Sequence, residues 1–411
     1  MSDYEKLPLI PIEKGKGVYL YDFDGNAYID SISSWWVNLF GHCNPYIGKK
    51  LKQQVDTLEH VILTSFTHEP IVKLSSRLVA ISPKGLNRVF YADNGSSAIE
   101  VALKMSYQYH KNKNQDKKFF LALENSYHGE TMGALSVSDV GLYKETFEAI
   151  LLKSIFTPVP KDASIKAALI AAKELEKILH VRADEIAAFV LEPLVQCAGG
   201  MHMYHSMYLQ KARELCDAYG VHLIADEIAV GFGRTGKMFA CEHAGISPDF
   251  MTLSKGLTGG YLPMSVVLTT DTVYDAFYCD YSEQKAFLHS HSYTGNPLAC
   301  SVANATLDIF EKQNILEKNQ RKIRYIAKKM KRFTTLANVA NIRQTGMIIA
   351  LDILGFKPEE RIGLQVFTYA LQKGVFLRPL GNTLYFMPPF VITYKQIDKM
   401  LDVAFEALQN L

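Results

Sequence analysis

Two short, mostly apolar runs of the sequence end on residues that could do covalent chemistry. Residues 221–225 are followed by Asp226, and residues 250–253 are followed by Ser254 and Lys255. Each run predicts a strand, and in an α/β sheet ligands gather at the carboxyl ends of the strands. A lysine amine can form a Schiff base with an aldehyde, and a carboxylate can keep a pyridine nitrogen protonated. The pair therefore suits pyridoxal phosphate chemistry, although a surface lysine and an ordinary buried salt bridge explain the residue types equally well.

A glycine-rich motif beside this pair suggests a different ligand. Gly231 to Gly236 fits the pattern G-x-G-x-x-G, which in a dinucleotide-binding fold opens a helix and precedes an acidic residue by about 20 positions. Here Gly245 and Pro248 interrupt the segment that follows, and Asp249 comes too early for that role. We therefore interpret the motif as a turn and not as an NAD site.

A tight turn of small residues precedes one of the predicted helices. Residues 93–97 follow a predicted strand, and their free N–H groups would lie at the positive end of the helix dipole. Gly95 and Ser96 could therefore hold a phosphate, although a plain serine N-cap would look the same in the sequence. Tyr127 also follows a predicted strand and could stack on a planar ring, whereas we expect the neighbouring His128 to be structural.

Trp35 and Trp36 are the only two tryptophans of the chain, and they are adjacent. In a strand, neighbouring side chains face opposite sides, which predicts one core ring and one surface ring. If the pair lies instead in a turn before Gly41, the two rigid rings could form the wall of a pocket for an alkyl chain.

The order of the predicted elements indicates an α/β fold. Strands alternate with helices from about residue 87 to residue 269, which predicts a largely parallel sheet covered on both faces. Residues 1–30 predict a β-meander with an Asp-Gly hairpin turn, and the C-terminal part predicts a smaller α+β domain that this meander completes. The expected domains are residues 1–48 and 297–411 for the small domain and residues 49–296 for the large one.

Composition narrows the possible partners of this 411-residue chain. Its 44 basic and 42 acidic residues are evenly mixed, which gives no basic face for nucleic acid. There is no signal-peptide pattern and no apolar run of membrane-spanning length. The six cysteines lack C-x-x-C spacing, and the His289/His291 pair lacks a third ligand nearby, so we expect no metal site. The expected partners are small molecules and copies of the chain, in the cytoplasm.

These motifs occur together in one known family. Asp226 to Gly236 followed by Ser254-Lys255-Gly256 resembles the signature of class III (ω-type) aminotransferases, which have PLP-dependent transferase fold type I. The resemblance implies a pyridoxal 5'-phosphate (PLP) enzyme that is a homodimer with its sites at the interface. It implies that Lys255 forms the Schiff base, that Asp226 pairs with the pyridine nitrogen and that Tyr127 stacks on the ring. It further implies a phosphate site of Gly95, Ser96 and the neighbouring subunit's Ser292, with Glu192 near the cofactor.

The resemblance also suggests substrates. Ser34-Trp35-Trp36 and Leu377-Arg378-Pro379 resemble segments of family members that transfer an amino group from S-adenosylmethionine to 8-amino-7-oxononanoate in biotin biosynthesis. This implies that Arg378 binds the substrate carboxylate through its guanidinium group. The implied substrate-binding set is completed by Trp35, Trp36, Ser290 and Tyr385.

Several alternatives share these features. Some relatives use lysine as the donor, and aminotransferases for ornithine, 4-aminobutyrate or diamines share all of the cofactor residues. Ser290-His291-Ser292 replaces the Gly-Pro-Thr of some members. Members usually carry a Trp-His-Pro-Tyr/Phe-Thr-Gln-Met segment, and because this sequence begins just after it, we expect that wall of the donor pocket to be missing. A regulator built on the same fold would need a DNA-binding appendage, which the sequence does not show.

Overall fold

A computed structural model describes Leu7 and residues 9–411. The chain forms two compact units, a large one of residues 50–316 and a small one of residues 1–49 and 317–411. The boundary at 316 lies beyond the expected boundary at 296, because the helix Pro297–Gln313 packs on Glu69–Ile81 and on the 3₁₀ helix Lys255–Thr258 of the large unit. The expected start of the small domain, at residue 1, lies partly outside the described residues. The expectation about a segment before Met1 lies wholly outside them.

A seven-stranded sheet forms the centre of the large unit. The strand Ser265–Thr269 is antiparallel to both of its neighbours, and the remaining strand pairs are parallel. The central strands Ile186–Leu191 and His222–Asp226 are buried along their whole length, as expected where both faces of a sheet are covered. In spatial order the strands are Arg88–Ala92, Ser265–Thr269, Phe250–Leu253, His222–Asp226, Ile186–Leu191, Phe119–Leu123 and Ser154–Thr157. The predicted, largely parallel sheet is confirmed.

The helices of the large unit begin and end on the expected kinds of residue. Side chains of Asn94, Ser164 and Asn296 cap three of the N-termini, and Gly220 ends another helix in the left-handed conformation, with a φ of 62°. The α-helices are Glu69–Ile81, Gly95–Asn112, Met132–Ser136, Gly141–Lys144, Ile165–Arg182, Met207–Tyr219, Asp271–Asp275 and Pro297–Gln313. A two-stranded ribbon joins Val195–Gln196 to His202–Met203.

The small unit contains two short sheets. The N-terminal meander Ile12–Lys16, Tyr19–Asp22 and Ala27–Asp30 is extended by Val375–Phe376, which pairs in parallel with its last strand. Val339–Thr345, Ile348–Ile353 and Thr383–Phe386 form the second sheet. The unit is thus built from both ends of the chain, as the α+β prediction required. Its helices are Ile362–Gln372 and Tyr394–Gln409, while Pro45–Val55 and Ile315–Met330 cross the unit boundaries.

Within the described part of the chain, no helix combines the length and the apolar character needed to cross a membrane. The same residues contain no group of three or more His, Cys, Asp or Glu side chains placed to bind a metal ion.

Candidate active site

Four neighbouring strands of the large unit bring the predicted cofactor residues to one edge of the sheet. Asp226 is the last residue of its strand, and Glu192 directly follows the adjacent strand. Lys255 comes two residues after the strand on the other side of Asp226, and Tyr127 comes four residues after the strand beyond Glu192. Because these strands run parallel, their carboxyl ends place all four side chains along the same rim.

Asp226 is held by a histidine. Its Oδ2 accepts a hydrogen bond from Nδ1 of His128 at 2.8 Å, and its Oδ1 accepts one from the backbone N–H of Ile228 at 3.0 Å. The backbone N–H of His128 is bonded in turn to Ser138 Oγ at 2.9 Å. The sequence predicts a structural role for His128, and its contact with the key carboxylate was not predicted. The available signal was its place next to Tyr127 at the end of a strand.

Glu192 fixes the backbone around Tyr127. One carboxylate oxygen accepts from the backbone N–H of Tyr127 at 3.0 Å, and the other accepts from that of Cys197 at 2.9 Å. Burial raises the pKa of Glu192 to about 7, although nearby His128 lowers it. The Tyr127 hydroxyl donates to Glu130 at 2.8 Å. The side chain of Tyr127 is therefore held at its backbone and at its hydroxyl.

Lys255 lies on a strained backbone. It has a φ of 45° and begins the short 3₁₀ helix Lys255–Thr258. A non-glycine residue held in this region costs about 1–3 kcal/mol, which surrounding structure must offset. Burial lowers the pKa of the Lys255 amine, and the charge of Asp226 partly counteracts that effect. A lower pKa makes an amine a better proton carrier than an ordinary lysine.

The start of the helix Gly95–Asn112 offers an anion site. The N-cap is Asn94, whose side chain accepts from the N–H of Ser97 at 3.0 Å, so the serine N-cap considered from the sequence is not formed. The N–H groups of Gly95 and Ser96 make no hydrogen bond with any described residue and lie at the positive end of the helix dipole. A Cβ on Gly129 would lie 2.0 Å from Ser96 Oγ, so that position needs a glycine.

Ser290 and Ser292 lie on an exposed loop, and no hydrogen bond joins them to the strand-end residues among those described. The segment before them is fixed to the flank of the helix Gly95–Asn112. Gln108 Nε2 donates to the carbonyl oxygens of Lys285 and Ala286, both at 3.0 Å, and Lys104 Nζ lies 2.9 Å from His289 Nδ1.

In the small unit, the two tryptophans lie on a left-handed turn and not on a strand. Ser33, Ser34, Trp35 and Trp36 have φ values of 53°, 46°, 68° and 74°. Consecutive left-handed L-residues cost about 1–2 kcal/mol each, so several strong contacts must hold such a turn. Trp36 is 4% exposed and Trp35 is 55% exposed. The predicted contrast of one core and one surface ring is therefore present, but the strand that was its premise is not.

Arg378 and Tyr385 contact the two tryptophans separately. The guanidinium carbon of Arg378 lies 5.2 Å from the centre of the Trp35 ring. Trp36 Nε1 donates to the Tyr385 hydroxyl at 3.2 Å, and the two rings meet edge to face at 6.2 Å. Arg378 is exposed and forms no ion pair with a described residue, so its donors are open to a carboxylate.

The sheet, its strand-end lysine and aspartate, and the open helix start define a PLP-dependent transferase of fold type I. The chain belongs to the class III aminotransferases, because the model of that family, Aminotransferase class-III, matches residues 1–408. Enzymes of this family use PLP, and so does this chain. The residues present fit the group: Gly95 and Ser96 offer free N–H donors for a phosphate, and Asp226 offers a carboxylate for a protonated nitrogen.

Full-length relatives carry a more specific name. The chain is 52% identical to the adenosylmethionine-8-amino-7-oxononanoate aminotransferase of Helicobacter pylori, over all of this chain and 94% of that protein. It is 43% identical to the enzyme of the same name from Geobacter sulfurreducens, over 98% of this chain and 92% of that protein.

Solved structures give the same result for the fold. The enzyme of that name from Methanocaldococcus jannaschii superposes with a TM-score of 0.96 at 36% identity, over all of this chain and 95% of that one. An ω-transaminase mutant from Pseudomonas jessenii reaches a TM-score of 0.94 at 27% identity, over all of this chain and 94% of that one. The fold is thus shared with aminotransferases of different names, and it does not by itself separate their substrates.

Proposed function

We propose that this enzyme transfers an amino group from S-adenosylmethionine to 8-amino-7-oxononanoate, giving 7,8-diaminononanoate in biotin biosynthesis. The observation that carries the proposal is the 52% identity to the Helicobacter pylori enzyme over the whole chain. The tryptophan turn and Arg378 support it, because a long apolar chain with a terminal carboxylate needs an aromatic wall and a guanidinium group.

In the proposed mechanism bound PLP would supply an electron sink for the donor carbon that loses a proton. Lys255 would anchor the cofactor and move that proton through its amine, whose pKa is lowered by burial. Asp226 holds the pyridine nitrogen protonated, and His128 fixes the direction of its carboxylate. Tyr127 stacks on the ring, while Glu192 keeps the Tyr127 backbone in place.

Substrate recognition is assigned to the small unit. Arg378 binds the carboxylate of the acceptor and of the donor, and Trp35 lines the path of the alkyl chain. Trp36 and Tyr385, expected from the sequence to line it as well, are 4% and 0% exposed and support that wall from the core. The edge-to-face packing of Trp36 on Tyr385 supports this role, because it holds two large rings in one orientation.

An acceptor scan tests the substrate. Holoenzyme aminated by a donor is mixed in a stopped-flow instrument with 8-amino-7-oxononanoate, 2-oxoglutarate or pyruvate, and the visible absorbance of the cofactor is followed. We expect fast reaction with the first and slow reaction with the other two. The reverse result would place the chain with the general ω-aminotransferases acting on ornithine, 4-aminobutyrate or diamines. A parallel scan with S-adenosylmethionine and lysine decides the donor.

We also propose that the enzyme is a homodimer in which Ser292 of one subunit binds the phosphate at the other subunit's site, with Ser290 reaching the substrate. The fixed and exposed position of their loop supports this role. Lys255→Ala and Ser292→Asp chains should each be inactive alone. Their equal mixture should recover about a quarter of the wild-type activity, since half of the dimers are mixed and each contains one intact site.

The matched control is Ser282→Asp, an exposed serine of the same segment, which should leave activity unchanged. No recovery in the mixture, with mixed dimers demonstrated by mass spectrometry, would contradict the exchange of Ser292.

The six cysteines form no disulfide, which fits the cytoplasmic location that we propose.

A further inference from the structure

A buried aspartate lies directly beneath the tryptophan turn. Asp30 ends the strand Ala27–Asp30 and is 0% exposed. Its Oδ1 accepts from the N–H of Ser34 at 2.9 Å and from that of Ile32 at 3.3 Å. Its Oδ2 accepts from Ser34 Oγ at 2.7 Å and from His42 Nε2 at 3.0 Å. One carboxylate therefore collects four hydrogen bonds, three of them from the turn itself and the residue before it.

His42 is in turn oriented by a neighbour. Asn38 Nδ2 lies 3.1 Å from His42 Nδ1, so that Asn38 donates to Nδ1 while Nε2–H donates to Asp30. Asn38 follows the turn, and its backbone N–H is bonded to the carbonyl of Ser33 at 3.0 Å. The network therefore contacts Ser33 and Ser34 in the turn, and it includes Ile32 before the turn and Asn38 after it.

The turn is also anchored at its start, within the small unit. Ser33 Oγ donates to the carbonyl of Met387 at 2.7 Å, and the N–H of Met387 donates to the carbonyl of Ser31 at 2.9 Å. These bonds tie the beginning of the turn to the chain just after Tyr385. They do not reach Ser34, whose backbone N–H and Oγ are both bonded to Asp30.

The left-handed backbone decides where the two indoles point. Because four consecutive residues are left-handed, Trp36 is directed into the core onto Tyr385, while Trp35 stays at the surface beneath Arg378. A right-handed or extended backbone at Ser34 would redirect the Trp35 ring and remove it from the guanidinium. The contact between Trp35 and Arg378 is thus linked to the hydrogen bonds of Asp30, although Asp30 touches neither residue.

We propose that Asp30, oriented by His42, is the positioning residue that sets acceptor selectivity by holding Trp35 beneath Arg378. The inference rests on the proposed function, since it takes Trp35 and Arg378 as the acceptor-binding pair. Asp30 acts only through the turn, so its loss should change binding of the acceptor and leave the cofactor and its chemistry as they are.

The same unit contains a matched control. Asp22 ends the neighbouring strand Tyr19–Asp22 and is also buried. It accepts hydrogen bonds from the backbone N–H groups of Asp24 and Asn26, from Asn26 Nδ2 and from the Tyr28 hydroxyl, all between 2.8 and 3.1 Å. Asp22 thus organises a turn with as many bonds as Asp30, but that turn carries no tryptophan.

The experiment compares Asp30→Asn with Asp22→Asn in the holoenzyme. An amide keeps the size of the carboxylate but places an N–H₂ group against donors, which breaks part of each network. Trp35 and Trp36 are the only tryptophans, so acrylamide quenching of indole fluorescence reports on this turn alone. The second measurement is KM and kcat for the acceptor that the wild-type enzyme uses.

We expect Asp30→Asn to increase the quenching constant and to raise the acceptor KM by about 10-fold to 100-fold, with kcat changed less than about 2-fold. Asp22→Asn should leave both values at the wild-type level. Equal quenching and equal KM in the two variants would overturn the inference. So would a fall in kcat with no change in KM, because Asp30 would then act on the chemistry.

If Asp30→Asn does not fold, Ser34→Ala decides the question, because it removes only the bond from Ser34 Oγ to Asp30. It should raise quenching and acceptor KM in the same direction by a smaller factor, and no change in either would overturn the inference. The two proposals fail separately. If the wild-type enzyme does not react with 8-amino-7-oxononanoate, the proposed substrate is wrong. The quenching comparison then still tests the role of Asp30.

Discussion

The strand-end residues of the large unit and the tryptophan turn of the small unit hold their side chains in opposite ways. Asp226 and Glu192 lie at or just after the ends of central strands, where the sheet fixes the backbone and the side chains need only local bonds. Trp35 and Trp36 lie on four left-handed residues that depend on Asp30. A rigid sheet edge suits chemistry that a whole family shares. A strained turn suits substrate choice, because a few substitutions can change its conformation. We infer that cofactor chemistry and substrate choice are separable in this chain.

The largest effect on activity is expected at Lys255, in the large unit. Lys255→Ala should reduce transamination by at least about 10²-fold to 10⁴-fold, the usual contribution of a positioned acid–base group, while circular dichroism stays unchanged. In the wild-type enzyme, borohydride followed by peptide mapping should label Lys255. The control is Lys117→Met, because Lys117 is also buried but donates to the carbonyls of Ala183 and Gly220. A label on another lysine would refute the assignment of the cofactor site.

Arg378 should show a smaller effect that is confined to substrates. Arg378→Met removes a charged hydrogen-bonding group and should weaken acceptor binding by about 1.5–3 kcal/mol. The visible absorbance of the cofactor should stay as in the wild type. Arg378→Lys should recover only part of the loss, since lysine lacks the planar fork that binds carboxylate and stacks on Trp35. A change in the cofactor spectrum of Arg378→Met would show that recognition and cofactor binding are not separable.

The same division explains what the sequence allowed us to predict. Asp226 and Lys255 were found because strand ends can be read from apolar runs, and parallel strands place their ends together. The partner of Asp226 was not found, because no sequence rule connects His128 to a residue 98 positions away. A turn at the two tryptophans was one of two alternatives, but its left-handed conformation was not predicted, because Ser-Ser-Trp-Trp contains no glycine to indicate positive φ. Its cause, Asp30, is a long-range packing feature that local propensity does not encode.

A separate effect, on stability and not on activity, concerns acid, and it should belong to the large unit. His222 begins the strand that Asp226 ends. Its pKa is lowered from 6.5 to about 3, mainly by burial and in smaller part by nearby His110. Between these pH values the unfolded chain binds a proton at this position and the folded chain does not. Stability should therefore fall as pH decreases from about 6.5 towards about 3, by up to about 1.4 kcal/mol per pH unit.

His222→Phe should reduce that slope, because a phenyl ring can keep the aromatic contacts with Tyr109 and Phe250, while Ser106 Oγ keeps its bond to the Ala187 carbonyl. The measurement is urea unfolding of the holoenzyme between pH 4.5 and 7.5, monitored by circular dichroism. This range covers the upper part of the window and about one pH unit above it. His180→Phe, at an exposed site on the helix Ile165–Arg182, is the control and should keep the wild-type slope. An unchanged slope in His222→Phe would show that the acid sensitivity arises at other groups. A reduced slope would locate part of it on the strand that carries the key carboxylate.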